Sequence, residues 1–169
     1  MLAAIRRIMQ PGCKFEIMLC LVGGQGAGKS TFFRFLALKD EWFTDDLRRL
    51  DDDNVYRKLQ GHWIVEMAEM LAQANLKFLP MDRTGNRRFA PVLIHPEAAA
   101  THILANEKES RAYFGQMWAE AMEIYRSGNW ELKLSDAMEK YVKELQKDFM
   151  PEDTKAGQIE AFLEKYEGT

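Results

Sequence analysis

The chemistry in this chain is concentrated in Gly23-Gly24-Gln25-Gly26-Ala27-Gly28-Lys29-Ser30. The stretch spells G-x-x-x-x-G-K-S between an apolar run, Phe15 to Val22, and a second one, Thr31 to Leu38. A phosphate-binding loop requires that context of strand before and helix after. Its glycines let backbone N–H groups close around the β- and γ-phosphates of a nucleotide. Lys29 adds a point charge there, and the Ser30 hydroxyl can ligate Mg²⁺. The positive end of the following helix adds to the attraction. The expected nucleotide contacts are Gly23, Gly24, Gln25, Gly26, Ala27, Gly28, Lys29, Ser30 and Thr31.

A second stretch fits the same chemistry. His62-Trp63-Ile64-Val65-Glu66 reads as a strand that ends in a carboxylate. A strand of this kind carries an acid to the sheet edge where Mg²⁺ and the γ-phosphate sit. We assign Glu66, with Ser30, to the metal, directly or through water. Glu69, three residues on, is assigned to positioning an attacking water, and the two acids could exchange roles.

The elements that must position these groups follow from periodicity and punctuation. Leu2, Ile5, Ile8 and Met9 fall at helical spacing before a Pro11-Gly12 break, which predicts an amphipathic packing helix. Phe15 to Val22 reads as a fully buried parallel strand, and Lys29 to about Leu38 as a helix apolar on most faces and hence buried. Trp42 and Phe43 are expected anchors in the charged stretch 39–53. Asp53 is placed to cap a short helix, Asn54 to Gln60, that ends at Gly61. A polar connection, 76–86, leads into a strand over Arg87 to Ile94. From Pro96 onward the pattern is helical. One stripe is Phe114, Met117, Trp118, Ala121, Met122 and Tyr125, ending at Gly128; a second, capped by Ser135, is Met138, Tyr141, Val142, Leu145 and Phe149. A last helix is expected over 154–167.

Composition bounds the class. The chain has 169 residues, 47% of them hydrophobic, and no apolar run long enough for a membrane helix. Two cysteines, Cys13 and Cys20, cannot make a disulfide framework, and Cys20 reads as a buried thiol. A cytoplasmic protein is expected. The net charge of −3 divides unevenly: residues 1–95 hold 14 Lys/Arg against 11 Asp/Glu, and residues 96–169 hold 9 against 15. No basic run with interleaved aromatics advertises nucleic acid. Asp82-Arg83-Thr84-Gly85 spells D-x-x-G, but it follows no apolar strand and no Asn-Lys-x-Asp guanine-reading motif accompanies it. That match is read as chance.

Three stretches together resemble the virulence-associated protein E family, phage- and plasmid-encoded proteins similar to superfamily three helicases and often joined to primases. They are Leu21 to Thr31, Leu59 to Met70 and the octet Asp82-Arg83-Thr84-Gly85-Asn86-Arg87-Arg88-Phe89, the most specific of the three. The resemblance implies an α/β P-loop NTPase core with a mostly parallel sheet flanked by helices, over residues 1–95, followed by an α-helical region, 96–169. It also implies ATP hydrolysis with Mg²⁺, assembly into a homo-oligomeric ring, and movement on single-stranded DNA during replication of a mobile element. By the same analogy Lys29, Glu66 and Glu69 serve catalysis, and Arg87 or Arg88 acts as an arginine finger on the ATP of a neighbouring subunit.

The chain departs from the family in one place. Relatives carry several tens of residues between the two last motifs, including a strand that ends in a polar sensor residue. Here Leu71 to Asn75 runs straight into Leu76 to Pro80. This implies an internal deletion after Asn75: a shortened gene copy, or a sequence lacking one segment. Met67 to Ala74 is rich in helix formers, so Asn75 is not carried over as the sensor. Without the sensor strand, the phosphate-loop strand and the Glu66 strand must pair directly or leave backbone groups unpaired. Two other readings stand beside the ATPase: a nucleotide-binding remnant without turnover, and a nucleoside-monophosphate-type kinase with Arg83, Arg87 and Arg88 around a phosphoryl acceptor.

Overall fold

Among the described residues, two short parallel sheets, not one, carry the strands. The computed structural model describes residues 1–47, 55–67 and 88–149. In the first sheet β1 (Met18–Val22) pairs with β4 (Phe89–Leu93), in register from Met18 opposite Phe89 to Val22 opposite Leu93. In the second, β2 (Phe43–Thr44) pairs with β3 (Ile64–Val65). The described helices are α1 (Leu2–Met9), α2 (Lys29–Leu36), α3 (Val55–Leu59), α4 (Glu107–Ser127) and α5 (Asp136–Phe149). The chain is thus mixed α/β with small parallel sheets and a helical C-terminal region. No described helix is long and apolar enough to cross a membrane.

The hydrogen bonds that bracket the β1–β4 ladder decide which edges stay open. Met18 N donates to Arg88 O at 2.6 Å and Ile94 N to Val22 O at 2.7 Å. Alternation along the strands then points the peptide groups of Met18, Cys20 and Val22 at β4, and those of Phe89, Pro91 and Leu93 away from β1. That outer edge of β4 is closed twice. Pro91 has no N–H to offer, and the Gln146 side-chain amide of α5 donates to the Phe89 carbonyl. On the far side of β1 the peptide groups of Leu19 and Leu21 face no strand among the described residues. β1 and β3 do not pair with each other; of the two outcomes expected of a sheet without its sensor strand, the described residues show the open edge.

The core lies between helices and one tryptophan. Ile5, Trp118 and Ala121 are buried together, with Ala4, Leu36, Trp63, Met122 and Tyr125 packed around them. Trp118 Nε1 donates to Leu36 O at 2.8 Å, tying α4 to the C-terminal end of α2, and the Trp63 ring lies 4.4 Å from that of Trp118. Trp42 packs edge-on against Trp63, as its anchor role predicts. Asn106 caps α4 by accepting from Glu109 N, and Gly128 ends it in the left-handed conformation, φ 69°.

Several sequence expectations are corrected. The first strand begins at Met18 rather than Phe15, and it is not fully buried: Met18 and Leu19 are 39% and 41% exposed. The apolar run was right, but the described residues do not cover both faces. The helix after the loop ends at Leu36, because Leu38 takes a left-handed φ of 66°. Of its apolar side chains only Phe35 is buried; Phe32 and Phe33 are half-buried, Phe32 edge-on to Phe114 of α4 and Phe33 edge-on to Phe32. Ile5 anchors α1, whereas Ile8 and Met9 are exposed. In α5 the buried stripe is Val142, Gln146 and Phe149. Tyr141 and Met138 face solvent because the bond from Gln146 to β4 sets the rotation of the helix. Cys20 is buried as expected, and burial pushes its thiol pKa up to about 11. Asp53, the junction after Asn75, most of the Arg-Arg octet and the helix expected over 154–167 lie outside the described residues.

Candidate functional site

The loop from Gly23 to Gly28 leaves the C-terminal end of β1 and enters α2 at Lys29. Gly26 and Gly28 both take φ of 79°, a region open to glycine and costly for other residues. Gly28 is confined by space as well: a Cβ there would lie 2.5 Å from Ile103 Cγ2. Lys29 folds back over the loop, and its Nζ donates to Gly23 O at 2.8 Å and Gly24 O at 2.7 Å. The ammonium therefore stands over the loop, where phosphate oxygens would meet it. Gln25 lies in the turn at the loop tip, Ala27 is half-buried beneath it, and Thr31 sits in the first turn of α2.

Ser30 and Glu66 meet although Ser30 lies in α2, which follows β1, and Glu66 follows β3 of the other sheet. Ser30 Oγ donates to Glu66 Oε1 at 2.8 Å, while Glu66 Oε2 is buried with no hydrogen-bond partner among the described residues. Burial raises the pKa of Glu66 above its ordinary value; the Ser30 hydrogen bond opposes this, Asp45 adds to it, and Lys29 opposes it. A buried, unpartnered carboxylate oxygen beside a hydroxyl is a donor set that suits a hard cation such as Mg²⁺. The structure thus brings Lys29, Ser30 and Glu66 to one place. Among the described residues no group of three or more His, Cys, Asp and Glu is gathered as a metal site of its own.

Arg88 stands elsewhere. It immediately precedes β4, beside Met18 at the start of β1, whereas the loop leaves the other end of that strand. The length of β1 puts roughly 17 Å between the two ends, at about 3.3 Å per residue. Arg88 is exposed there. It does not join the loop of its own chain. Arg87 and Glu69 lie outside the described residues.

Sequence reasoning missed the segment after β4. Ile94 packs against Gly23, whose Cβ, if present, would lie 3.3 Å from Ile94 Cβ. His102 and Ile103 pack against Gly28 in the same way, so one segment flanks both ends of the loop. No motif marks His102, a lone histidine between helical signals.

A search of curated proteins finds no match to the chain. The Virulence-associated protein E-like domain matches it in two segments, residues 1–75 and 73–151, which meet at the junction after Asn75. That coverage takes in the loop, the Ser30–Glu66 pair and the segment over Gly28. The chain belongs to the virulence-associated protein E-like family, a phage- and plasmid-associated group.

Proposed function

We propose that this chain is a P-loop nucleotide-binding protein, an ATP-hydrolysing, helicase-like module for replicating the DNA of a mobile element. The observation that carries the reading is Lys29 Nζ folded over the Gly23 and Gly24 carbonyls beside the Ser30–Glu66 pair. In this reading Lys29 exchanges two backbone carbonyls for the β- and γ-phosphate oxygens of ATP. The backbone N–H groups of the loop and of the first turn of α2 hold the same oxygens. Ser30 and Glu66 would hold Mg²⁺, whose bound charge offsets that building up on the transferred phosphoryl group. Glu69 orients the attacking water, with Glu66 able to take that part.

Arg88 enters through its place at the far end of β4. A guanidinium that cannot reach its own loop acts, if it acts on ATP, on a neighbouring copy, which fits a finger supplied by a homo-oligomer, such as a ring. The same placement counts against the kinase reading, which needs its arginines around an acceptor beside the loop. Single-stranded DNA as the track rests on family membership. The open edge of β1 supports a second reading: the chain holds nucleotide as an assembly module without turning it over.

Phosphate release with and without a short single-stranded oligonucleotide tests these readings. DNA-stimulated release that disappears in Lys29→Ala and in the Arg87→Ala/Arg88→Ala double variant supports the ATPase with a trans finger. Equal release by the double variant removes the finger. Tight ATP binding with no release over hours selects the assembly module. Failure of the protein to retain the oligonucleotide on filters at low salt removes DNA as a partner.

A further inference from the structure

We propose that His102 is a nucleotide-binding residue, and that its Nε2–H contacts the ribose of a nucleoside di- or triphosphate held by the loop. The inference rests on the nucleotide reading above and adds a specificity element to it: a contact that an inorganic polyphosphate does not make.

Three observations converge on this residue. The first fixes its proton. Leu104 N donates to His102 Nδ1 at 3.2 Å, so Nδ1 is an acceptor and the proton belongs on Nε2. The second fixes its place. A Cβ built on Gly28 would lie 3.7 Å from His102 Cε1 and 3.9 Å from Nε2, so the donor edge of the ring stands at the last residue of the loop. No acceptor for Nε2–H is found among the described residues. The third is rigidity. Ala105 N donates to His102 O at 2.9 Å, closing the turn, and Ser110 Oγ donates to Ile103 O at 2.9 Å, tying it to the start of α4. Trp118 then ties α4 to α2, the helix that begins at the loop.

Position along the loop decides which part of the nucleotide His102 meets. Lys29 Nζ lies at Gly23 and Gly24, the end of the loop remote from Gly28, and the Lys of such a loop reaches the β- and γ-phosphates. His102 stands at the other end of the loop, against Gly28. Its donor is therefore placed for the sugar, away from the bond that would be cleaved.

The test compares ADP with pyrophosphate, each with Mg²⁺, by titration calorimetry on the full chain. The variant is His102→Asn. An Asn carbonyl accepts from the N–H two residues on, as His102 Nδ1 does, so the turn survives while the distal donor is lost. The expected result is about tenfold weaker ADP binding, as for one lost hydrogen bond, with pyrophosphate affinity and Tm unchanged. Equal weakening of both ligands would make His102 a support for the loop, and ADP affinity within twofold of wild type would make it irrelevant to binding. Either outcome overturns the proposal while leaving the loop's own function standing. Wild-type protein that binds neither ligand, or a Lys29→Ala variant that binds both as wild type does, overturns the nucleotide reading itself and this inference with it.

Discussion

Replacing Gly28 with alanine tests the packing on which both the loop and its flanking segment depend. Two costs add. A non-glycine residue at φ 79° pays about 1–2 kcal/mol for the left-handed conformation. The new methyl would also stand 2.5 Å from Ile103 Cγ2, and the turn there is held by the Ser110 hydroxyl and the Ala105 N–H. Forcing a methyl into a filled site costs about 1–3 kcal/mol. Together they make roughly 2–5 kcal/mol, a fall in Tm on the order of 10 °C for a chain of this size.

The two costs separate in a double-mutant cycle. Ile103→Ala removes the atom that the new methyl meets and leaves the backbone cost in place. Gly28→Ala/Ile103→Ala should therefore recover about 1–3 kcal/mol relative to the sum of the single variants. Gly24→Ala is the control, because a Cβ there meets nothing within 4 Å and its φ is not positive. It should change stability by less than about 0.5 kcal/mol. Urea denaturation of wild type and the four variants gives the numbers. Strict additivity of Gly28→Ala and Ile103→Ala, or a Gly24→Ala cost equal to that of Gly28→Ala, would refute the packing of the 102–103 turn on the loop.

Two further outcomes follow from the site and the sheet. Burial raises the Glu66 pKa above its ordinary 4.5, so the fold favours the protonated acid. The stability this contributes is complete below the unfolded value and is lost as pH rises through the folded one. Metal-free wild type should therefore lose Tm relative to Glu66→Gln as pH rises from about 4 to about 7, and Mg²⁺ should narrow the difference in wild type alone; parallel Tm curves for the two proteins would contradict it. Gln146→Leu leaves the Phe89 carbonyl without its α5 donor at a buried site, which costs about 1–3 kcal/mol; an unchanged urea midpoint would show that α5 does not close the edge of β4.

Much of this architecture was legible because it is written locally. The loop, its two positive-φ glycines and Lys29 follow from a spacing in eight consecutive residues, and α4 from a stripe that ends at Gly128. The Ser30–Glu66 contact was legible too, since a strand that ends in an acid has few other uses beside such a loop. Pairing partners were not legible. Nothing in Phe15 to Val22 says that β4, rather than β3, lies beside it, and a continuous apolar run reads as buried whether or not a neighbour covers it. Gln146 was passed over because a polar residue breaks a stripe on paper, whereas here its amide is what the stripe is aimed with. His102 left no periodic or motif signal, because its relation to Gly28 exists only after the chain has crossed β4.

The open edge of β1 bears directly on how this site is held together. In a continuous sheet, strand pairing would set the distance between the loop and the acid. Here the acid's strand belongs to a separate sheet, and a helix does that work. α2 begins at Lys29 and Ser30 and is fastened at its far end by Trp118 Nε1 to Leu36 O. Trp63, three residues before Glu66, packs on the same Trp118 ring and donates from its own indole to Ala4 O in α1. One tryptophan on α4 therefore fixes both partners of the Ser30–Glu66 bond, with no strand needed between β1 and β3. The groups proposed to hold phosphate and cation thus lie in residues 23–66, with a flanking turn at 102–103, clear of the place where the two family-matched segments meet. The groups proposed to act on the γ-phosphate bond, Glu69 and Arg87, lie on either side of that junction, and Arg88 lies at the wrong end of β4 to help in its own chain. In the proposed reading, binding and turnover are in this way divided between parts of the chain, and the shortening expected at residue 75 falls on the second while leaving the supports of the first intact.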